Sequence, residues 1–229
     1  MPHNLSLARA SIMALAMLTS ISAGAAESSE TTRLSPPIYV VRNLGPNLLG
    51  TAALPIRAAR FSGSWANAVQ DASRNPILLR MVAPARNLPP LQQIAFVQTR
   101  VHHNIRWMSD TTQWSQHDYW ATANQTLQRG AGDMEDRAIV KMHALRALGF
   151  SPDDLFLTLA RDVVGGPITV LTVRAGGRYY ILDDTGGIPF VADSRRNELQ
   201  PVLSFDWKGA WVHSAVASTG IRSASRTGR

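Results

Sequence analysis

The chain of 229 residues contains no cysteine. Disulfides, thiolate metal sites and a thiol nucleophile are therefore all excluded, since each needs a cysteine sulfur. Beyond its N-terminus the sequence also lacks an apolar run of the roughly 20 residues a membrane helix takes. Acidic residues are outnumbered, 16 Asp and Glu against 23 Lys and Arg, for a net charge of +7. The basic residues are scattered apart from Arg195-Arg196 and the tail Arg222, Arg226 and Arg229. That pattern suits a solvated surface with affinity for anionic partners, and nucleic acid is not an expected partner. With 45% hydrophobic and 17% charged residues, the chain has the make-up of a globular domain.

The N-terminus carries an export signature. Arg9 precedes an almost unbroken apolar run from Ala10 to Ile21, and Ala23-Gly24-Ala25 supplies a small-x-small cleavage site. Residues 1–26 are read as a cleaved signal peptide, which makes the expected location periplasmic with no stable membrane insertion. Residues 27–56, rich in Ser, Thr, Pro, Gly and Asn, are read as an extended leader. The domain is expected over 57–213. A Ser/Arg/Gly-rich tail, 214–229, is expected to be disordered.

Within the domain two helices stand out. Leu91, Ile94, Ala95, Val101 and Ile105 recur at helical spacing behind Pro89-Pro90. A second helix follows Gly130-Ala131-Gly132, with Met134, Ala138, Met142, Leu145 and Leu148 on one stripe and Gly149 as its stop. Asp133 stands at its N-cap, with Glu135 and Asp136 in the first turn, where the helix dipole favours negative charge. Between the helices lies an aromatic stretch with Trp107, Trp114, Tyr119 and Trp120, expected chiefly to pack over the core. After Gly149 the period changes to two: Leu155–Ala160, Ile168–Arg174 and Arg178–Asp183 read as strands, the last two joined by Ala175-Gly176-Gly177. The segment from Pro201 to His213 adds further strand. His102, His103, His117, His143 and His213 have no metal-ligand spacing and are read as surface or packing residues.

A helix starting at a glycine-rich turn, followed by an antiparallel hairpin, is a layout used for nucleophilic catalysis. A cysteine at the helix start, a histidine on the next strand and an acid on the following one form its triad. The runs Asp118-Tyr119-Trp120-Ala121-Thr122, Gly132-Asp133-Met134-Glu135-Asp136 and Leu148-Gly149 resemble the bacterial transglutaminase-like cysteine proteinases, from about Phe61 to Trp211. The resemblance implies an α+β transglutaminase/papain-like fold, with helices packed on an antiparallel sheet. It also places the family's cysteine at Met134, its histidine at Ile168 (in Ile168-Thr169-Val170-Leu171) and its acid at Asp183 (in Leu182-Asp183-Asp184). A thioether has no ionisable proton, and an isoleucine has no lone pair with which to take one. Ala123 stands where the family usually has proline and Gln125 where it usually has glutamate. These departures are read as agreeing with an abandoned active site.

Members of the family that cleave adhesins bind calcium beside the catalytic cysteine. The resemblance therefore offers Asp133, Glu135 and Asp136 as calcium ligands; the alternative is that they are a helix cap and first-turn acids. The function expected is that of an exported pseudoenzyme that binds a protein, a peptide or calcium, in adhesin or biofilm regulation. The alternative is a peptidase or acyltransferase with a relocated nucleophile such as Ser109, Thr169 or Thr185.

Overall fold

The computed structural model describes residues 45–57, 61–195 and 197–215. The expected signal peptide, the leader up to residue 44 and the tail from residue 216 lie outside these residues. Along the chain run β1 (Thr51–Ile56), α1 (Ser62–Ala68), α2 (Pro76–Val82), α3 (Pro90–Asn104), β2 (Arg106–Trp107) and α4 (Asp110–Trp114). Then come α5 (Ala123–Arg129), β3 (Ala131–Gly132), α6 (Met134–Ala147), β4 (Leu155–Asp162), β5 (Pro167–Ala175), β6 (Arg178–Leu182), β7 (Phe190–Val191), β8 (Leu199–Asp206) and β9 (Gly209–Ala215). This is the expected α+β arrangement, helices against an antiparallel sheet.

The termini of α6 follow from its sequence. The Asp133 side chain accepts from the Asp136 backbone N–H at 3.4 Å, and Glu135 and Asp136 fill the first turn. At the other end Gly149 takes φ +100°, which a residue with a Cβ adopts only under strain. Phe150 N–H then reaches Leu145 O at 3.1 Å and Gly149 N–H reaches Arg146 O at 2.9 Å, the two bonds of a Schellman motif.

Between these caps the helix departs from the one-stripe expectation. Every residue from Asp136 to Leu145 is buried, including Arg137, Lys141 and His143. The reason is position: α6 packs against α2, α3 and α5 on one side and β4 and β5 on the other. A helix enclosed on all sides shows no amphipathic period.

The seven-stranded sheet has the order β1-β9-β8-β4-β5-β6-β7, with every neighbouring pair antiparallel. Alternation along each strand divides it into two faces. Leu155, Leu157, Leu171, Val173 and Phe205 pack with the helices in the main core. Val170, Ile181 and Leu199 form a second cluster with Leu49, Ile168, Tyr179 and Phe190.

The leader boundary moves. Thr51–Ile56 is extended as expected, but it pairs with β9 over its whole length, so the end of the supposed leader is the sheet's edge strand. Ser214 and Ala215, expected in the tail, are its partners. The aromatic stretch is also less irregular than its sequence suggests, since α4 and the start of α5 interrupt it. Trp120 is buried against Phe61 and Phe205, and Trp114 packs on Tyr119, whereas Trp107 is 53% exposed. Gln125 and Ala123 serve the helix start. Thr122 and Gln125 form a capping box, and Ala123 is the first residue of α5, a position that also accepts proline. Both departures from the family pattern thus have a local explanation that involves no catalysis.

Leu145 is fully buried in α6 and sits at the Schellman turn. Leu145→Ala should cost about 2–5 kcal/mol in denaturant unfolding. Leu91→Ala, at a residue 52% exposed, should stay within about 0.5 kcal/mol. Equal losses at the two sites would contradict a core centred on α6.

Candidate functional site

A two-residue parallel bridge builds the site. Arg106 and Trp107 pair with Ala131 and Gly132, and Met108 N–H donates to Gly132 O at 3.1 Å. This brings the loop after α3 beside the first turn of α6. Asp110 then lies next to Asp133 and Asp136, one oxygen from each falling within 4.8 Å of the others. Asp110 Oδ2 accepts from Tyr119 N–H at 2.6 Å, and Asp136 Oδ1 accepts from Ala121 N–H at 2.8 Å. Their second oxygens, Asp110 Oδ1 and Asp136 Oδ2, are buried and have no hydrogen-bond partner. Gly132 is required here: a Cβ on it would lie 2.6 Å from the Asp136 Cβ and 2.9 Å from Thr126 Cγ2.

Burial dominates the electrostatics. It pushes the Asp133 carboxyl up to about 9, with the neighbouring charges of Glu135 and Asp110 adding to the rise. Burial likewise raises Asp136 to about 8 and Glu135 to about 7, and it raises Asp110. Carboxylates gathered out of water with like-charged neighbours can all ionise only beside a cation. The donors are hard oxygens, and two of them are unused and buried. Such a set fits Ca²⁺, whose usual six to eight oxygens would be completed by carbonyls or water.

The sequence reading named Asp133, Glu135 and Asp136. The structure groups Asp133 and Asp136 with Asp110, while Glu135 stands beside Asp133 outside that trio. Asp110 was missed because a two-residue bridge between segments some 25 residues apart leaves no periodicity to detect. The cap and ligand readings of Asp133 are compatible, because its carboxylate caps α6 and also faces the cluster.

The three positions matched to the family triad fare differently. Met134 opens α6 and is half-buried. The Asp183 carboxylate follows β6, and its Oδ1 accepts from Gln98 Nε2 at 3.1 Å, Thr185 N–H at 3.0 Å and Thr185 Oγ1 at 2.7 Å. Ile168 packs in the second cluster, on the face of the sheet away from α6. An apolar contact between Met134 and Ile168, in place of the family's thiolate and imidazole, does not fit that placement, because Leu171 and Val173 set the helix-facing parity of β5. Thr169, buried between Ile168 and Val170, has the helix-facing parity instead. Neither residue can act as an imidazole base.

Below Asp183 the interior of α6 is tied to the same loop. Arg137 meets Asp184 at 2.7 Å and donates to His102 Nδ1 at 2.7 Å. Lys141, 1% exposed, donates to the Asp183 carbonyl at 2.5 Å, and burial lowers its ammonium to about 8.

Of the alternative nucleophiles, Ser109 Oγ pairs with Thr112 Oγ1 at 3.0 Å, Thr169 is buried, and Thr185 donates to Asp183. Among the described residues none of the three bonds to a histidine. A Ser–His pair does occur at positions that carry no sequence motif. Ser204 Oγ lies 2.8 Å from His213 Nε2, and His213 Nδ1 lies 2.9 Å from Thr51 Oγ1. Ser204 is fully buried, so this chain ties β1, β9 and β8 together and does not present a nucleophile. His143 likewise bonds inward, to Ala68 O at 2.7 Å.

A family model described as bacterial transglutaminase-like cysteine proteinase matches residues 50–188. Among solved structures, Legionella pneumophila LapG is similar at 25% identity and a TM-score of 0.52, covering 69% of this chain and 90% of that one. The calcium-bound form of that protein gives 25% identity and 0.52 over 69% and 88%. Its EGTA-treated form gives 24% and 0.52 over 73% and 95%. No curated protein matches the sequence.

The buried acids give the metal-free protein a distinctive pH response. Unfolded carboxyls titrate near about 4, so from there up to the raised folded values the native state holds protons that the unfolded state has released. Stability should therefore fall as pH rises through about 6.5 to 7.5 in EGTA, a window that stops short of the Lys141 value of about 8 and lies above that of His213, which burial depresses to about 4. Urea unfolding should show a shallower fall for Asp136→Asn than for the unaltered chain. Equal slopes in the two proteins would mean that Asp136 is ionised in the metal-free fold.

Proposed function

The chain belongs to the bacterial transglutaminase-like cysteine proteinase family, and we propose that it is a calcium-binding member that has given up cysteine peptidase chemistry. It acts by holding a protein or peptide at the surface beside Met134. The observation that carries this reading is a paired one. The sequence has no cysteine, yet the acids at the start of α6 remain gathered with two buried oxygens unsatisfied. A scaffold that only needed a capped helix would not require Asp110 and Asp136 in addition to Asp133. The calcium-bound state of LapG supports the choice of ion.

Asp110, Asp133 and Asp136 would hold the ion, with Glu135 beside them. Calcium supplies charge that keeps these carboxylates ionised and ties the loop after α3 to α6. Asp183 no longer has an imidazole to orient; Gln98, Thr185 and Lys141 hold its loop instead. Export to the periplasm and a partner in adhesin or biofilm regulation belong to the same proposal, supported by the N-terminal signature and by the family.

Two outcomes test it. Millimolar calcium should raise the melting temperature, by linkage worth about 2.7 kcal/mol at a hundredfold excess over Kd. Asp110→Asn and Asp136→Asn keep the backbone hydrogen bonds but remove carboxyls that take up a proton on folding without metal. Each should raise the metal-free melting temperature near neutral pH and lessen the calcium response. A calcium-insensitive melt, or variants that are simply destabilised, would leave only the helix cap.

The unaltered chain should also show no peptidase or acyl-transfer turnover. Met134→Cys alone should remain a poor catalyst for want of a base. Hydrolysis that survives substitution of Met134 but is lost on changing Ser109, Thr169 or Thr185 would replace the pseudoenzyme with a relocated nucleophile.

A further inference from the structure

The basic residues look scattered along the sequence, but the acidic ones are distributed unevenly. Between Asp71 and Asp110 there is no Asp or Glu, while Arg74, Arg80, Arg86, Arg100 and Arg106 all fall in the interval. That stretch holds α2, the turn after it and α3, with Arg74 just before α2 and Arg106 in β2. Among the described residues none of these five arginines forms an ion pair, although Arg137, Arg174 and Lys208 elsewhere each do.

Two grooves meet on this surface. One, of about 410 Å³, runs between α2 and α3 and is lined by Ile77, Arg80, Arg100 and Leu127. The other, of about 470 Å³, lies along the outer stripe of α3 and is lined by Leu88, Ala95, Phe96, Arg100 and His103. Arg100 lines both and forms the ridge between them. The core face of α3 is a separate stripe of Ile94, Val97 and Val101. Phe96 packs in neither hydrophobic cluster, and the Arg100 guanidinium lies over its ring at 5.2 Å. Ile77 is 39% exposed at the rim of the first groove.

An aromatic ring that adds nothing to the core, beneath an arginine with no acid partner, is poised to receive both an apolar side chain and a carboxylate. We propose that the α2–α3 surface docks an acidic protein segment whose carboxylates alternate with large apolar side chains. The carboxylates engage Arg80 and Arg100, and an apolar side chain enters the groove beside Phe96. The concave shape on both sides of the Arg100 ridge suits inserted side chains better than a flat lipid surface. None of the residues lining the two grooves belongs to the metal cluster, and Met134 lines neither groove.

The test uses the full chain and a fluorescein-labelled peptide of about a dozen residues alternating Asp or Glu with Leu or Phe, followed by anisotropy in EGTA. Binding should weaken as salt rises. Arg100→Glu and Phe96→Ser should each weaken it about tenfold or more, in line with a central anchor. Arg178→Glu, an equal charge change at the exposed start of β6, should change it by less than about twofold. A peptide with Asn and Gln in place of its acids should not bind. If circular dichroism shows Arg100→Glu misfolded, Arg80→Glu takes its place. No binding of the acidic peptide, or equal loss from Arg178→Glu and Arg100→Glu, would overturn the proposal. So would Arg100-dependent capture by phosphatidylglycerol vesicles of a chain that ignores the peptide.

Discussion

The complete enclosure of α6 is the constraint on which the rest of the structure depends. A helix covered on one side by helices and on the other by a sheet must satisfy every polar group it carries from within the protein. Arg137, Lys141 and His143 reach Asp184 and His102, the Asp183 carbonyl and the Ala68 carbonyl, and of the Arg137 guanidinium only Nε is left without a partner. These bonds fix the loop after β6 and the end of α1 relative to the helix. At its N-terminus the same enclosure gathers Asp110, Asp133 and Asp136 out of water, where like charges lack a protein cation. Among the described residues the interior cations face oxygen partners while the N-terminal acids face one another, which makes that terminus the place suited to a cation.

In the family this helix start is where a thiolate is generated. On the proposed reading Met134 takes that position, and Asp183 is bonded to Gln98 and Thr185. Arg137 and Asp184 are mutually compensating, since either alone would leave a buried charge unmatched. Most of the polar interior is bonded within the protein, although Gln98 Oε1 and Arg137 Nε lack hydrogen-bond partners, as do the two carboxylate oxygens at the acid site. In this account the calcium chemistry outlasts the peptidase chemistry because the two depend on different atoms: carboxylates held by the backbone in one case, a sulfur and a ring nitrogen in the other.

Much of this was legible in the sequence, and the exceptions have physical causes. The ends of α6 were readable because caps act locally: an aspartate, two first-turn acids and a glycine specify them within a few residues. The β5–β6 hairpin was readable from its alternation and its Gly176-Gly177 turn. The burial of α6 on all sides was not, because Arg137, Lys141 and His143 look like solvent-facing residues until their partners are known. Asp110 was hidden because a short bridge far away in sequence delivers it. The parity of Ile168 was hidden because a motif match counts residues, whereas the face a residue occupies depends on which neighbours meet the helix. The Ser204–His213–Thr51 chain spans three strands and has no local signature at all.

Calorimetric titration of calcium into the EGTA-treated and dialysed chain, repeated in buffers of different ionisation enthalpy, tests the central claim most directly. Buried carboxyls that hold protons until the metal arrives must release them on binding. One calcium per chain is predicted, with proton release that grows as the pH is lowered from about 8 to about 6.5. Binding without proton release, or no binding at millimolar calcium, would contradict the account and return Asp133 to the role of a helix cap.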